Sequence, residues 1–347
     1  MRTKLTELFD IALPIIQAPM AGVQDSALTL AVSNAGALGS LPCAMLSVDA
    51  LQRELITLRT GTDRPYNLNF FCHTPPIANA ERELTWRQIL APYYTEMGLD
   101  PAMPSIDSPR APFTAAVAEL LHQFAPPIVS FHFGLPAPLL LDHVRNWGGK
   151  IIGCATTVAE ARWLDAHGVD AIIAQGIEAG GHRGMFLTDD VSTQIGTFAL
   201  LPQIVAAVRA PVIAAGGIAD ARGVQAALAL GAAAVQIGTS YMLCTEATTR
   251  GLHRAALLSE AAQHTALTNL FSGRPARGIV NRLMRDLAPI NSAVPEFPLA
   301  AAALAPLRAR AEQHHSGDFS PLWCGQNASG CRAISAGELT RSLMEFV

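Results

Sequence analysis

Residues 211–240 read PVIAAGGIADARGVQAALALGAAAVQIGTS, and their pattern indicates the fold class. It opens with an apolar, β-branched run, PVIAA (211–215), and closes with a second one, AVQIG (234–238). The segment between them, ARGVQAALALG (221–231), has helical spacing and ends at Gly231, where a helix C-cap favours glycine. A buried strand, a helix and another buried strand in this order predict one βαβ unit of a parallel sheet.

The same unit recurs along the chain. The predicted strands are 14–18, 36–40, 66–70, 128–133, 150–155, 171–175, 211–215 and 234–238. Their runs are apolar nearly throughout, as expected for parallel strands that are buried on both faces. Helical patterns such as SALTLAVSNA (26–35) and AEARWLDAHG (159–168) lie between them. Eight units without a GxGxxG element favour an α/β fold of the closed (β/α)8 type, a TIM barrel, over an open doubly wound sheet.

Two segments interrupt this repeat. Residues 72–126 are rich in proline, contain Trp86, Tyr93 and Tyr94, and are too long for a simple crossover, so we expect an insert or lid after strand three. Helical patterns near 246–264 and 299–312 follow the eighth strand and predict a small helical cap. The expected domains are a barrel over 1–240 and a C-terminal cap over 241–347.

Composition limits the classes of function. Half of the 347 residues are hydrophobic, and the net charge of −4 comes without a long charged run, so neither nucleic acid nor a membrane surface is an expected partner. No apolar stretch reaches the roughly 20 residues that span a bilayer. Glu7 and Asp10 interrupt any signal peptide, and the six cysteines are scattered. We expect a cytoplasmic protein that acts on a small molecule, with a homodimer as one option for its assembly.

Three glycine-containing loops follow strands six, seven and eight. They read QGIEAGGHRG (175–184), AAGGIAD (214–220) and QIGTS (236–240). In such barrels the site lies at the carboxyl ends of the strands, and the last two loops commonly bind phosphate through backbone N–H groups. A glycine pair alone could simply cap its strand, but two loops together in the positions expected for phosphate binding favour a phosphate-bearing ligand.

Seven motifs together resemble the nitronate monooxygenases, once called 2-nitropropane dioxygenases. They are PIIQAPMAG (14–22), YNLNFF (66–71), QGIEAGGHRG (175–184), PVIAAGGIAD (211–220), AVQIGTSYM (234–242), FSGRPARG (271–278) and LWCGQNA (322–328). The resemblance covers most of the chain and implies FMN, bound without a covalent bond at the barrel mouth. The FMN contacts it implies are Ala18, Pro19, Met20, Asn69, Gln175, Gly180, Gly181, Gly216, Gly217, Gln236, Ile237, Gly238 and Thr239. The amides of Asn69 and Gln175 could bind the flavin edge or, alternatively, neighbouring backbone.

The resemblance also places His182 at the active site. An imidazole can remove the acidic proton of a nitroalkane or, when protonated, compensate the charge of a nitronate. His132 is a second candidate catalytic residue, with a packed strand-end histidine as the alternative. Arg183 either attracts an anionic substrate or faces solvent, and Glu178 is a weaker candidate base.

The implied reaction is the FMN-dependent oxidation of alkyl nitronates, and of nitroalkanes as an extension, by O2 to carbonyl compounds and nitrite. The alternative is an NAD(P)H-dependent flavin reductase of the quinone or enoyl-acyl-carrier-protein type on the same barrel. The last tyrosine is Tyr241, and the C-terminal region offers Phe297, Arg308 and Arg310 where family members often have tyrosines. We therefore hypothesise a larger or more apolar substrate.

Other barrel chemistries fit less well. A Schiff-base aldolase needs a lysine near the carboxyl end of a strand, yet the chain has only Lys4 and Lys150, and Lys150 opens strand five. The barrel dehydrogenase acting on inosine monophosphate needs a cysteine after strand six, and residues 176–196 contain none. The histidines are dispersed, so no metal site is expected.

Overall fold

The computed structural model describes residues 2–102 and 110–345, so residues 103–109 of the predicted insert, Met1 and residues 346–347 lie outside the described part. Within these ranges the chain forms eleven strands. They are β1 (Ile15–Gln17), β2 (Gly39–Pro42), β3 (Tyr66–Phe71), β4 (Ile128–His132), β5 (Lys150–Ala155), β6 (Ala171–Gln175), β7 (Gly181–His182), β8 (Val212–Ala215), β9 (Ala234–Ile237), β10 (Thr265–Thr268) and β11 (Ala276–Ile279).

Eight of these strands form a parallel sheet that closes into a barrel. The sheet order is β1-β9-β8-β6-β5-β4-β3-β2. A parallel bridge between Ile16 and Leu38 joins its two ends. There Gln17 N donates to Leu38 O at 2.9 Å, and Leu38 N donates to Ile15 O at 2.9 Å. The TIM barrel prediction is confirmed, and β8 and β9 are its seventh and eighth strands.

Helices surround the barrel and extend beyond it. They are α1 (Lys4–Phe9), α2 (Ser26–Asn34), α3 (Val48–Gly61), α4 (Ala80–Glu96), α5 (Ala115–Phe124), α6 (Pro138–Asn146), α7 (Val158–Ala166), α8 (Thr197–Ala207), α9 (Ala221–Ala229), α10 (Gly251–Leu257), α11 (Arg282–Leu287), α12 (Ala300–Gln313) and α13 (Ala336–Ser342). Gly168 and Gly231 follow α7 and α9 with φ of 72° and 98°, the left-handed conformation predicted for them. The second strand begins three residues later than predicted because Gly36, at φ 92°, still belongs to the turn that ends α2.

Alternate residues of the strands fill two separate cores. Ile151, Ile172 and Val235 pack outward against the helices. Ile152, Ile173 and similar residues pack inside the barrel together with Leu5 and Phe9 of α1. Both faces of each strand are therefore buried, which explains why the strands read as continuous apolar runs.

The predicted insert contains two helices with different roles. α5 packs through Leu121 on the core between the strands and the surrounding helices, which we call the main core. It is the regular crossover helix between β3 and β4. α4 instead buries Trp86, Leu90 and Tyr94 in a third core, which also contains Leu304 of α12. The Tyr94 hydroxyl donates to Ala303 O at 2.6 Å. The part of the insert that leaves the barrel is thus packed with the C-terminal region.

The C-terminal region is not purely helical, as the predicted cap would be. Strands β10 and β11 pair antiparallel, and β7, which follows β6 of the barrel, pairs with β11. We call α4, β7, β10, β11, α11 and α12 the cap. At the end of the chain, α13 returns to the barrel, where Leu339 packs into the main core beside α2. The division into two domains at residue 240 stays a prediction.

Candidate active site

A cleft opens at the carboxyl ends of the barrel strands. Its empty volume is about 1420 Å³ including space open to solvent. Its walls come from the ends of β1, β3, β4, β5, β6, β8 and β9, from the loop that carries β7, and from residues 323–327. This is the end of the barrel at which TIM barrel enzymes hold their sites.

His182 lies in the wall of this cleft, on the short strand β7. Its backbone pairs with Ala276 of β11, so the cap sheet fixes its position. Its Nε2 lies 2.8 Å from Ser272 Oγ. The rings of Phe297 and Trp323 pack at centroid distances of 5.4 and 5.5 Å.

This setting keeps the imidazole of His182 uncharged. Burial lowers the pKa of His182 well below its usual 6.5, and the positive charge of Arg110 lowers it further. A neutral imidazole near pH 7 can accept a proton or take part in hydrogen bonds but supplies no charge of its own.

His132 also lines the cleft, at the end of β4. Its Nε2 lies 3.2 Å from the backbone carbonyl of His182. Burial lowers the pKa of His132 to about 4, so it too is neutral at pH 7. The structure therefore brings the two predicted histidines together, with the ring of His132 holding the backbone of His182.

Gln175 ends β6 and spans the loop that carries His182. Its Nε2 donates to His182 O at 3.0 Å, and its Oε1 accepts from Gly184 N at 2.8 Å. Its amide thus forms hydrogen bonds with neighbouring backbone, the alternative to a flavin contact that the sequence leaves open. A flavin contact of Gln175 stays a prediction.

Arg183 follows neither of the two expectations for it. Its side chain is fully buried and does not line the cleft. It donates to Gly176 O at 2.7 Å, to Gln175 O at 2.6 Å and to Gln194 Oε1 at 2.8 Å. These carbonyls compensate the guanidinium inside the loop, so Arg183 braces the loop and neither faces solvent nor points at a substrate.

Glu178 lines the cleft, but its carboxylate is bound at the start of α8. Thr197 N donates to both carboxylate oxygens at 2.9 Å, and Thr197 Oγ1 donates to Oε2 at 2.7 Å. These bonds hold the carboxylate at a helix N-terminus. Glu178 is thus better placed to fix the loop than to act as a base.

The ends of β8 and β9 form a rim of exposed backbone. Gly216 and Gly217 have φ of 120° and 73°, which an L side chain rarely adopts. Within the described residues, no hydrogen bond is made by the N–H groups of Gly216, Gly217 or Gly238. Such unpaired donors beside a helix N-terminus suit the phosphate of a nucleotide cofactor.

Residues 324–331 form a strap across this rim. Gly325 N donates to Thr239 Oγ1 at 3.0 Å, and Asn327 Nδ2 donates to Gly217 O at 3.0 Å. A Cβ on Gly180 would lie 2.5 Å from Gly325 N, so this position has no room for a side chain. The strap therefore contacts the rim at the ends of both β8 and β9.

Twelve of the thirteen predicted FMN contacts line the cleft, Ala18, Pro19, Met20, Asn69, Gln175, Gly180, Gly181, Gly216, Gly217, Gln236, Gly238 and Thr239. Ile237 does not, because its side chain packs into the main core. Asn69 Nδ2 donates to Ser130 Oγ at 2.9 Å, while its Oδ1 accepts no hydrogen bond from the described residues. An amide oxygen without a partner and the free N–H groups of the rim both fit a flavin nucleotide.

Three further residues of the site escaped sequence reasoning. Ser272 and Trp323 lie within the quoted motifs FSGRPARG and LWCGQNA, but nothing in their spacing places them beside His182. Arg110 lines the cleft from the insert, 72 positions before His182. Of the predicted cap residues, Phe297 packs on His182, whereas Arg308 is bound to Glu312 at 2.7 Å.

The described residues contain neither a candidate metal site nor a candidate membrane-spanning helix. Residues 2–102 and 110–345 contain no group of three or more histidine, cysteine, aspartate or glutamate side chains able to hold a metal ion. In the same part of the chain, none of the helices has the length and apolar character needed to cross a membrane.

Comparisons with known proteins agree on one family. A family model described as "Nitronate monooxygenase" matches residues 2–345. The nitronate monooxygenase of Pseudomonas aeruginosa is 40% identical over 99% of each chain. A nitroalkane oxidase from Streptomyces ansochromogenes has a TM-score of 0.89 at 36% identity, covering 98% of this chain and 96% of that one. FabK from Thermotoga maritima is less similar, with a TM-score of 0.74 at 26% identity over 99% and 96% of the two chains.

Proposed function

The chain belongs to the nitronate monooxygenase family and is a flavin-dependent oxidoreductase, and on this premise we propose that it uses FMN and O2 to oxidise alkyl nitronates to carbonyl compounds and nitrite. One observation carries the proposal. A neutral His182 and a rim of unpaired backbone N–H groups line the same cleft. The rim suits a phosphate, and the histidine suits a substrate held nearby.

FMN, when bound, supplies the electron acceptor for the oxidation of the substrate. Gly216, Gly217, Gly238 and Thr239 would hold its phosphate. Asn69 would present its free amide oxygen to a donor on the cofactor. The substrate would bind in the same cleft beside His182.

His182 would act on the proton or the orientation of the substrate. A neutral nitroalkane carries a proton beside its nitro group that uncharged imidazole can accept. A nitronate has already lost this proton and needs only to be oriented. Ser272 Oγ, 2.8 Å from Nε2, would fix the plane of the ring for both tasks.

The test compares two activities of the purified enzyme loaded with FMN. Nitrite release and O2 consumption are measured with ethyl nitronate, and NADH oxidation is measured separately with a quinone. We expect nitronate oxidation that does not require NADH. Rapid NADH oxidation without nitrite release would refute the proposal and favour the flavin reductase alternative.

The proposal extends to location and assembly. The six cysteines are unpaired, which suits the reducing cytoplasm. We also propose a homodimer, because twofold dimers are the commonest symmetric assemblies of soluble proteins. Light scattering during size-exclusion chromatography tests the assembly, and a monomer mass would refute it.

A further inference from the structure

Few charged side chains line the cleft. In the described part of the chain, the only carboxylate and the only arginine that line it are Glu178 and Arg110. The Glu178 carboxylate is bound by the N–H and the hydroxyl of Thr197, as described above. Arg110 thus supplies a positive charge to the lining of the cleft.

Two contacts hold the segment of Arg110 at the barrel mouth. Phe113 N donates to Phe71 O at 2.8 Å, which continues the end of β3. The imidazole of His73 hydrogen-bonds to the backbone of Arg110. The His73 ring packs on Phe297 at 4.8 Å, and Phe297 packs on His182 at 5.4 Å. Arg110 is thus tied to the same aromatic cluster as the active-site histidine.

The guanidinium lies near the reacting end of the cleft. Among the charged residues, Arg110 has the largest effect in lowering the pKa of His182. The histidines around it are uncharged, since burial lowers the pKa of both His73 and His132 to about 4. An anion bound beside His182 would therefore find its countercharge in Arg110 and not in an imidazolium.

We propose that Arg110 is a specificity-determining residue whose guanidinium binds the negatively charged oxygens of the substrate beside His182. This inference rests on the proposed function. A nitronate carries its charge on two oxygens of one planar group, which the planar fork of an arginine matches with two parallel hydrogen bonds. A neutral nitroalkane gains less from the same contact, so Arg110 favours the anionic form of the substrate at the binding step.

The experiment measures anion binding and turnover in matched variants. Titration calorimetry gives the affinity for nitrate, a planar anion that is not oxidised, and kinetics give kcat and KM for ethyl nitronate. We expect Arg110→Gln to weaken nitrate binding and raise KM by roughly 10- to 100-fold, with a smaller change in kcat. Arg110→Lys keeps the charge but loses the fork, so its effect should be intermediate.

Arg308→Gln is the matched control. Arg308 lowers the pKa of Arg110 through its charge but is bound to Glu312 and does not line the cleft. Its loss should change nitrate affinity by no more than about threefold, because screening weakens charges that make no contact. An equal loss in Arg308→Gln and Arg110→Gln would show a general field effect and overturn the inference.

Two other results would also overturn it. Unchanged nitrate affinity and KM in Arg110→Gln would exclude contact with the anion. Loss of FMN affinity in this variant would show that Arg110 holds the cofactor phosphate instead. If Arg110→Gln does not fold, Arg110→Lys decides by the same measurements.

Failure of the proposed function would look different. A wild-type enzyme that binds nitrate through Arg110 but does not oxidise nitronates would refute the function and keep the anion site. A wild-type enzyme that oxidises nitronates with no dependence on Arg110 would refute only the anion site.

Discussion

At the residue scale, the central feature is the uncharged imidazole of His182. Its hydrogen bond to Ser272 and its aromatic neighbours orient the ring, and burial disfavours the imidazolium. Gln175 and His132 both bind its backbone carbonyl. The site thus fixes the position and the protonation state of one imidazole.

Replacement of this base should affect the two kinds of substrate unequally. We expect His182→Gln to lower kcat/KM for a neutral nitroalkane by about 100- to 10,000-fold, the usual contribution of a general base, and to affect a preformed nitronate less. Steady-state nitrite release with both substrates measures this, and the exposed His264→Gln is the control. An equal loss for both substrates would contradict the role in proton removal.

The pH dependence follows from the lowered pKa of His182. Because the folded-state pKa lies below 6.5, the imidazole remains neutral as the pH falls through 6.5 and becomes protonated only in more acidic solution. We therefore expect kcat/KM for a nitroalkane to be retained at pH 6.5 and to decline well below it. A pH profile that has already lost half of its activity at pH 6.5 would contradict this.

The positions of the two histidines could be predicted from the sequence more readily than the positions of the arginines around them. His132 ends a strand and His182 lies in the loop that follows another, at the end of the barrel where the site is expected, and the family resemblance also points to His182. The burial of Arg183 could not be predicted, since it depends on carbonyls that turn inward only when the loop folds. Arg110 is still harder to predict, because the insert that carries it has no repeat to align it with the barrel.

At the scale of elements, the glycine turns after β8 and β9 form the rim, and the strap of residues 324–331 crosses it. Gly217 needs its left-handed conformation to keep its N–H at the rim and its carbonyl toward Asn327. An L residue in this conformation costs roughly 1 to 2 kcal/mol, and relaxing it would rotate both groups away.

Gly217→Ala should therefore weaken FMN binding by about tenfold or more, with loss of roughly 1 kcal/mol of stability. Gly98→Ala is a close control, because Gly98 has φ 65° and open space around its Cβ position but does not line the cleft. It should show a similar loss of stability with unchanged FMN affinity. Fluorescence titration of the apoprotein measures the affinity, and equal losses of FMN affinity in both variants would contradict a phosphate rim at Gly217.

The residues that line the cleft bear on the hypothesis about substrate preference. None of Tyr66, Tyr93, Tyr94 or Tyr241 lines the cleft, while Trp323 does, together with several alanines. We expect kcat/KM to rise along a series of nitronates of increasing chain length. Equal values for short and long chains would refute the hypothesis of a larger, more apolar substrate.

The fold of the cap was the least predictable element. The helical pattern near 299–312 could be recognised, but the packing of α4 on α12 joins residues about 200 positions apart. The strand β7 has only two residues and no apolar alternation. Neither feature leaves a periodic signal, because tertiary contacts and not local sequence determine them.

At the scale of the whole molecule, buried neutral histidines couple stability to pH. Burial lowers the pKa of His73, His132 and His253 to about 4, whereas histidine side chains in the unfolded chain have a pKa of about 6.5. Below pH 6.5 the unfolded state therefore binds protons that the folded state does not, and stability is lost as the pH falls toward 4.

His253→Gln should flatten this loss, because glutamine does not titrate and can still donate to Trp323 O, which lies 3.0 Å from His253 Nε2. We expect the free energy of unfolding to fall between pH 7 and pH 4.5 by up to about 3 kcal/mol less in the variant than in the wild type. Urea denaturation at several pH values measures the difference, with the exposed His264→Gln as control. A parallel pH dependence in the wild type and His253→Gln would contradict the assignment.

The most direct test of the central claim is the visible spectrum of the purified, FMN-treated protein before and after anaerobic addition of ethyl nitronate. A glycine rim that holds FMN beside His182 predicts a yellow protein whose flavin absorbance bleaches with nitronate alone. A colourless protein that does not retain FMN, or a flavin that nitronate leaves unchanged, would contradict it.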